Sequence, residues 1–155
     1  MLHANRKCWR GLVVHAGNVG LLSLALTGSP ALGATPSVDQ ALKLSPMQKD
    51  VECDLPNAAD AKTCTIKGEK QGEQSAWVVR DGNGQILRRF VDTNGDNVVD
   101  QWCYYFRGIE VYRDVDQNFN GKADQYRWLN TAGSRWGLDE NEDGKVDSWK
   151  SISAE

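Results

Sequence analysis

Histidine is confined to the first 34 of the 155 residues, at His3 and His15. If those residues are removed on export, no imidazole remains, which excludes Ser-His-Asp and Cys-His nucleophile pairs, histidine general bases and histidine-containing zinc sites. The four cysteines, Cys8, Cys53, Cys64 and Cys103, contain no Cys-x-x-Cys spacing, so a thioredoxin-like or zinc-ribbon role has no support. A long apolar run is also missing: the cleanest, Val19 to Leu26, falls far short of the ~20 residues of a spanning helix. Nor is there a basic excess. With Lys+Arg 18 against Asp+Glu 21 the net charge is −3, which makes nucleic acid a poor partner. What remains is carboxylate chemistry.

Residues 1–34 have the three regions of a secretory signal peptide: a basic start with Arg6, Lys7 and Arg10, an apolar stretch from Gly11 to Leu26, and small residues ending in Ala31-Leu32-Gly33-Ala34. Cleavage near Ala34 yields a periplasmic or extracellular chain with no membrane span, and its net charge becomes −6 because only basic residues are lost. Cys8 precedes the apolar stretch, so no cysteine is placed for a lipid anchor. Export permits disulfides. Three cysteines remain, so one stays free or pairs between chains; Cys64 with Cys103 is preferred, Cys53 with Cys64 is the rival, and the sequence alone does not choose.

Residues 35–62, with Pro36, Pro46 and Pro56, read as an irregular N-terminal arm with one short helical stretch at Val38 to Leu44. From Thr63 onward, short runs rich in Val, Ile, Trp and Tyr alternate with Gly, Asn and Asp clusters, and no helical period is sustained. The predicted strands are Cys64–Lys70, Ser75–Arg80, Gln85–Val91, Val99–Tyr105, Ile109–Val115, Ala123–Leu129, Ser134–Leu138 and Val146–Ile152. An internal repeat runs through them. Residues 92–100, 116–124 and 139–147 share the pattern D-x-N-x-[DN]-[GN]-x-[VA]-D, preceded by Val91, Val115 and Leu138 and followed by Trp102, Tyr126 and Trp149. Tight turns at Asp81-Gly82-Asn83-Gly84, Phe106-Arg107-Gly108 and Asn130-Thr131-Ala132-Gly133 alternate with them. The expected fold is all-β: an antiparallel up-and-down meander of about eight short strands spanning residues 63–155, with the three acidic loops at one end.

Strand alternation places Trp102, Tyr104, Tyr126, Trp128 and Trp149 on one face and Gln101, Cys103, Tyr105, Gln125, Arg127, Leu129, Ser148 and Lys150 on the other. The aromatic ladder reads first as core, with a sugar-binding platform as the alternative; Trp128 and Trp136 are the rings to test for the latter.

The acidic loops suit Ca2+, which takes six to eight hard oxygen ligands and can be wrapped by a loop whose carboxylates and amides recur at alternate positions. Positions 1, 3 and 5 are Asp92, Asn94 and Asp96; Asp116, Asn118 and Asn120; Asp139, Asn141 and Asp143. Position 7 would add a backbone carbonyl from Val98, Lys122 or Lys145, and position 9 a carboxylate from Asp100, Asp124 or Asp147. Position 6, where φ > 0 is needed, is Asn97, Gly121 or Gly144. The competing reading is a set of plain Asx turns. Against it stands the carboxylate count, because each close pair of like charges costs ~1 kcal/mol even in a water-like dielectric.

The pattern resembles the Asp-rich loops of EF-hand-like calcium-binding repeats, in particular the nine-residue loops of thrombospondin type 3 repeats and the first half of a dockerin or EF-hand loop. It departs from an EF-hand at position 12, where Cys103, Arg127 and Lys150 replace the bidentate Glu, and in being flanked by strands. Residues 85–151 also resemble secreted bacterial β-hairpin repeat proteins of unknown function joined by D-x-[DN]-x-[DN]-G-x-x-D turns. That resemblance implies an extracytoplasmic repeat protein and supplies no activity. The expected function is a calcium-stabilised secreted module with a structural or binding role and no catalysis. The alternatives are a carbohydrate- or cell-surface-binding module using exposed aromatics, and a metal-free repeat domain cut from a longer secreted protein. The last strand ends the repeat without a cap, so its edge is expected to be covered by the arm, by a second chain in self-association, or by further sequence.

Overall fold

The computed structural model describes residues 35–130 and 133–153; the expected signal segment, with His3, His15 and Cys8, and part of the Asn130–Gly133 turn lie outside the described residues. Eight strands form one antiparallel sheet in chain order: β1 Thr65–Gln71, β2 Gln74–Arg80, β3 Ile86–Asp92, β4 Gln101–Phe106, β5 Ile109–Val115, β6 Gln125–Asn130, β7 Gly133–Leu138 and β8 Ser148–Ser153. This is the expected up-and-down meander. Because odd and even strands run oppositely, the β3–β4, β5–β6 and β7–β8 connections, which are the three acidic loops, emerge at one end. The strands leaving the loops start two residues later than expected. Asp100, Asp124 and Asp147 donate their backbone N–H groups to Val91, Val115 and Leu138 at 2.9, 2.9 and 2.8 Å, so each loop closes on its ninth residue before the strand begins.

The faces divide as the alternation requires. In one cross-strand row Phe90 pairs with Trp102, Trp102 with Asp114, Asp114 with Tyr126, Tyr126 with Gly137 and Gly137 with Trp149. In the adjacent row Tyr104 meets Tyr112 with ring centroids 5.9 Å apart and Tyr112 meets Trp128 edge-on at 5.2 Å, while Trp128 reaches Trp149 of the first row at 5.2 Å. Tyr104, Tyr112 and Tyr126 are buried, so these rings are core, and Tyr112 alone repays its burial by ~3–5 kcal/mol against truncation to Ala. Gly137 leaves room in this face: a Cβ there would lie 2.6 Å from Val146 of the third loop. Trp149 stands half exposed at the end of the ladder.

The N-terminal arm closes the aromatic face. Its helix α1, Val38–Lys43, is one residue shorter than expected; Ser37 caps it in a reciprocal capping box with Gln40, and it ends ahead of Pro46. Six residues cannot hold a helix alone. Ala41 is seated among Val79, Phe90 and Val99, and Leu42, Leu44, Trp77 and Trp102 pack against that cluster. Beyond the helix, Met47 N–H donates to Asp114 Oδ2 at 3.2 Å, Gln48 Nε2 to the Gly144 carbonyl at 3.2 Å, and the buried Arg88 guanidinium to the Asp54 carbonyl at 2.8 Å. The arm thus lies across a face of the sheet and not along the β8 edge. Among the described residues β8 pairs with β7 alone, so the arm does not supply the expected edge cover.

The cysteines correct the sequence reading. Cys53, Cys64 and Cys103 are free thiols, and neither expected pairing forms. Cys64 directly precedes β1 and Cys103 lies on β4, three strand spacings or ~14 Å across the sheet, whereas a disulfide needs Cα atoms within ~7 Å. Cys53 packs with Tyr104, and its neighbour Asp54 bonds to the Tyr105 carbonyl of β4, so the rival partner Cys64, ahead of β1, is likewise out of its reach. The expected pairing of Cys64 with Cys103 conflicted with the expected strand order, which itself sets the first and fourth strands three spacings apart.

Asp114 sits inside the aromatic face, 2% exposed, accepting from Tyr112 Oη at 2.5 Å and from the arm at Met47. Burial pushes its carboxyl up to about 7, against the lowering effect of these hydrogen bonds. Between the unfolded value of about 4 and this folded value, the folded chain holds a proton that the unfolded chain has released, so stability falls as pH rises, by at most ~1.4 kcal/mol per pH unit. In chelator-treated protein, Asp114→Asn should flatten the dependence of urea midpoint on pH between about 4 and 7; an unchanged slope would show that Asp114 is not the group responsible.

Candidate functional site

Each acidic loop is organised by its first carboxylate. Asp92, Asp116 and Asp139 are buried at 1, 2 and 2% exposure at the base of their loops. Asp116 accepts from the N–H groups of Asn120 and Gly121 at 3.1 and 2.7 Å, and Asp139 from those of Asp143 and Gly144 at 3.1 and 2.8 Å. Asp92 accepts from Gly95 and Asn97 at 2.6 and 3.0 Å. The third position then accepts from the backbone of the fifth: Asn94 from Asp96, Asn118 from Asn120, Asn141 from Asp143. The fifth accepts from the seventh in the same way, Asp96 from Val98, Asn120 from Lys122, Asp143 from Lys145. The ninth closes the loop by accepting from the second: Asp100 from Thr93, Asp124 from Gln117, Asp147 from Glu140, at 2.9, 2.9 and 2.8 Å.

Positive φ appears at position 6 as expected, at Asn97 (66°), Gly121 (91°) and Gly144 (85°). It also appears at position 4, which the sequence did not disclose: Gly95 (79°), Phe119 (60°) and Glu142 (58°). Two left-handed residues around position 5 turn successive amides inward to form the cradle for the first carboxylate. Phe119 and Glu142 bear a backbone cost of ~1–3 kcal/mol each, since neither side chain favours that conformation. No pattern of Gly or Asn marked position 4, because two of the three residues there are neither.

Adjacent loops are joined. Asp116 N–H donates to the Asp100 carbonyl at 2.8 Å and Asp139 N–H to the Asp124 carbonyl at 2.9 Å, so the first residue of one loop is pinned to the ninth of the preceding loop. Glu142 reaches from the third loop into the second, accepting from the side-chain amides of Asn118 (3.1 Å) and Asn120 and lying 3.3 Å from Lys122 Nζ. These hydrogen bonds, with the nearby ammonium, hold its carboxyl below the usual glutamate range. The middle loop, which has one carboxylate fewer than its neighbours at positions 1, 5 and 9, thereby acquires a carboxylate that its own Lys122 balances. Glu142 was missed at the sequence level because it occupies an unpatterned position and acts on a different repeat.

Among the described residues, no three Cys, His, Asp or Glu side chains are grouped so as to hold a metal ion by themselves. Any ion here would be shared with Asn amides and backbone carbonyls. Within that limit the loops differ. The ninth carboxylate is buried in the first loop, half-buried in the second and exposed in the third. Asp100 is 3% exposed; its Oδ2 accepts from Thr93 N–H and Oγ1 at 2.9 and 2.8 Å, whereas its Oδ1 is buried with no hydrogen-bond partner. Burial first, and then the charges of Asp92 and Asp96, push its carboxyl up. A buried, unpartnered carboxylate oxygen beside two further aspartates is a costly arrangement that a cation would relieve.

Two clefts flank the arm, one bordered by Asp54, Pro56, Asp81 and Arg107, the other by Leu42, Pro46, Val51 and Arg88, and neither includes a loop aspartate. Trp128 and Trp136, the candidate sugar platforms, are each covered by a guanidinium: Arg135 lies 4.9 Å from the Trp128 ring centroid and Arg127 lies 4.2 Å from that of Trp136. They are on opposite faces and do not form one platform. Comparison of the chain with known protein families, with curated proteins and with solved structures finds no match. No helix among the described residues is long and apolar enough to cross a membrane.

The orphaned oxygen gives a discriminating substitution. In chelator, Asp100→Asn should melt at or above the unsubstituted chain, because a repelling buried charge is removed. In millimolar Ca2+ the order should reverse. A lower melting midpoint for the variant in both conditions would mean that the Asp100 charge is used within the loop without an ion.

Proposed function

We propose that the chain is an exported, calcium-stabilised β-repeat module with a structural or binding role and no catalytic centre, of the kind its EF-hand-like and thrombospondin type 3-like loops resemble. The observation that carries the reading is Asp100 Oδ1, a buried carboxylate oxygen without a partner beside Asp92 and Asp96. The common hydrogen-bond scheme of the three loops supports it, since that scheme pins carboxylate and amide oxygens at alternate positions, as a hard cation requires. Ca2+ would neutralise the first and third loops and fix the register of the hairpins they join. The middle loop, whose Lys122 and Glu142 already balance each other, would hold an ion weakly or not at all. Against catalysis, Asp114, a perturbed carboxyl in an apolar setting, is sealed under the arm with tyrosines and accepts from Tyr112 Oη and Met47 N–H. The half-exposed Trp149 and the β8 edge beside it are where self-association through the last strand would occur.

Calorimetric titration of the purified chain should count at least two Ca2+ per chain with modest affinity, ~10⁻⁵ to 10⁻³ M, because no bidentate Glu closes the loops. A count of zero at millimolar Ca2+ would remove the proposal. An ion bound to the folded state alone stabilises by about 2.7 kcal/mol at a hundredfold excess over Kd. Chelator should therefore lower the melting midpoint; Asp92→Ala and Asp139→Ala should abolish most of that difference, and Asp116→Ala should leave more of it. Equal melts with and without chelator would favour plain turns.

A further inference from the structure

The face of the sheet opposite the arm carries a row of cations that the acidic loops do not explain. Register places Lys67, Val78, Arg89, Cys103, Arg113, Arg127, Trp136 and Lys150 on successive strands in one line, so all of these side chains share a face. With strands ~4.8 Å apart, the line from β1 to β8 is some 30 Å long. The hydrophobic cluster on this side, Ala76, Val78, Val91, Cys103 and Tyr105 with Ile86, draws on strand residues and no arm residue.

The strands bring two carboxylates to this face, and each is committed. Glu69 pairs with Arg80 at 2.6 Å, and Glu110 pairs with Arg113 through Nε at 2.6 Å and Nη2 at 2.9 Å. Lys67, Arg89, Arg127 and Lys150 have no carboxylate partner among the described residues. Arg89 Nε is buried and without a hydrogen-bond partner, although Arg89 itself is only half-buried. Arg127 bonds to the neutral Gln125 and rests on the Trp136 ring. Burial and the adjacent Arg113 hold it below the ordinary guanidinium value, against the opposing effect of Glu110. In a chain of net negative charge, gathering unpaired arginines in one line costs energy unless an anion meets them.

We propose that this face binds an acidic polysaccharide, whose sulfate or carboxylate groups are received by Arg89 and Arg127 beside Arg113, with Lys67 and Lys150 engaging the chain at the two edges of the sheet. A linear polyanion fits a line of cations crossing the strands. A flat anionic membrane fits less well, because the acidic loops project from one end of the same sheet. A single-stranded nucleic acid would stack its bases on a free ring, and the Trp136 ring is occupied by Arg127. The proposal is independent of metal in the loops.

The test is binding of the full chain to dextran sulfate and to polygalacturonate at low salt, with uncharged dextran, single-stranded polydeoxythymidylate and anionic phospholipid vesicles alongside, all in chelator and repeated in Ca2+. Expected is binding to an acidic polysaccharide in both conditions, absent with dextran, weakened by salt, and reduced about tenfold or more by Arg89→Gln with Arg127→Gln. Lys67→Glu with Lys150→Glu, at exposed edge positions, should weaken it likewise, and this pair decides the matter should the arginine variant fail to fold. Affinity unmoved by the exposed lysine pair, equal binding to dextran, preference for the nucleic acid or the vesicles, or binding only in Ca2+ would each overturn the proposal; the last would also locate the anion at the loops.

Discussion

The structure depends on three buried carboxylates accepting backbone amides. Asp92, Asp116 and Asp139 stand where a strand ends, and each draws two N–H groups of its own loop onto one side chain. An ionised carboxylate taken out of water must be repaid by charge-assisted hydrogen bonds, and the loop backbone has donors to spare because it makes no ladder. The turn, the left-handed residues at positions 4 and 6, and the return of the chain at position 9 follow from that one requirement. Since the ninth residue bonds back to the strand before the loop, the loop also sets which residues of the next strand face which side. A change in the first aspartate would propagate into the register of a whole hairpin.

From that register come the two unlike faces. The aromatic side buries its rings under the arm and tolerates Arg88 and Asp114 because the arm supplies a carbonyl for one and an amide for the other. The opposite side has no such cover from the arm and fills itself with long arginine stems, whose heads remain partly exposed above Cys103 and Tyr105. Burial pushes the Tyr105 hydroxyl up to about 12, with Glu110 acting in the same direction. The sheet therefore separates charge in space, with carboxylates concentrated in the loops at one end and unpaired cations in a line across one face, although the composition shows only a small net negative charge.

The loops are not three independent copies. Backbone bonds from Asp116 to Asp100 and from Asp139 to Asp124 chain them together, and Glu142 ties the third to the second. Stability of one loop is thus felt by its neighbour. The middle loop differs most in how it balances charge, through Lys122 and a glutamate borrowed from the next repeat.

The sequence by itself determined the strand number and order, the common end of the loops, the division of aromatic from polar faces and the left-handed residue at position 6. These are local or periodic properties: alternation, turn chemistry and a repeat in register are written within a few residues of where they act. Tertiary structure alone decided the rest. It laid the arm across a face and away from the β8 edge, buried Asp114 and left Asp100 with an orphaned oxygen. It also sent Glu142 into another loop and aligned arginines from β3, β5 and β6. Each of those depends on which strands become neighbours and how they are covered, distances set by packing between residues far apart in the chain, for which no local pattern in the sequence exists.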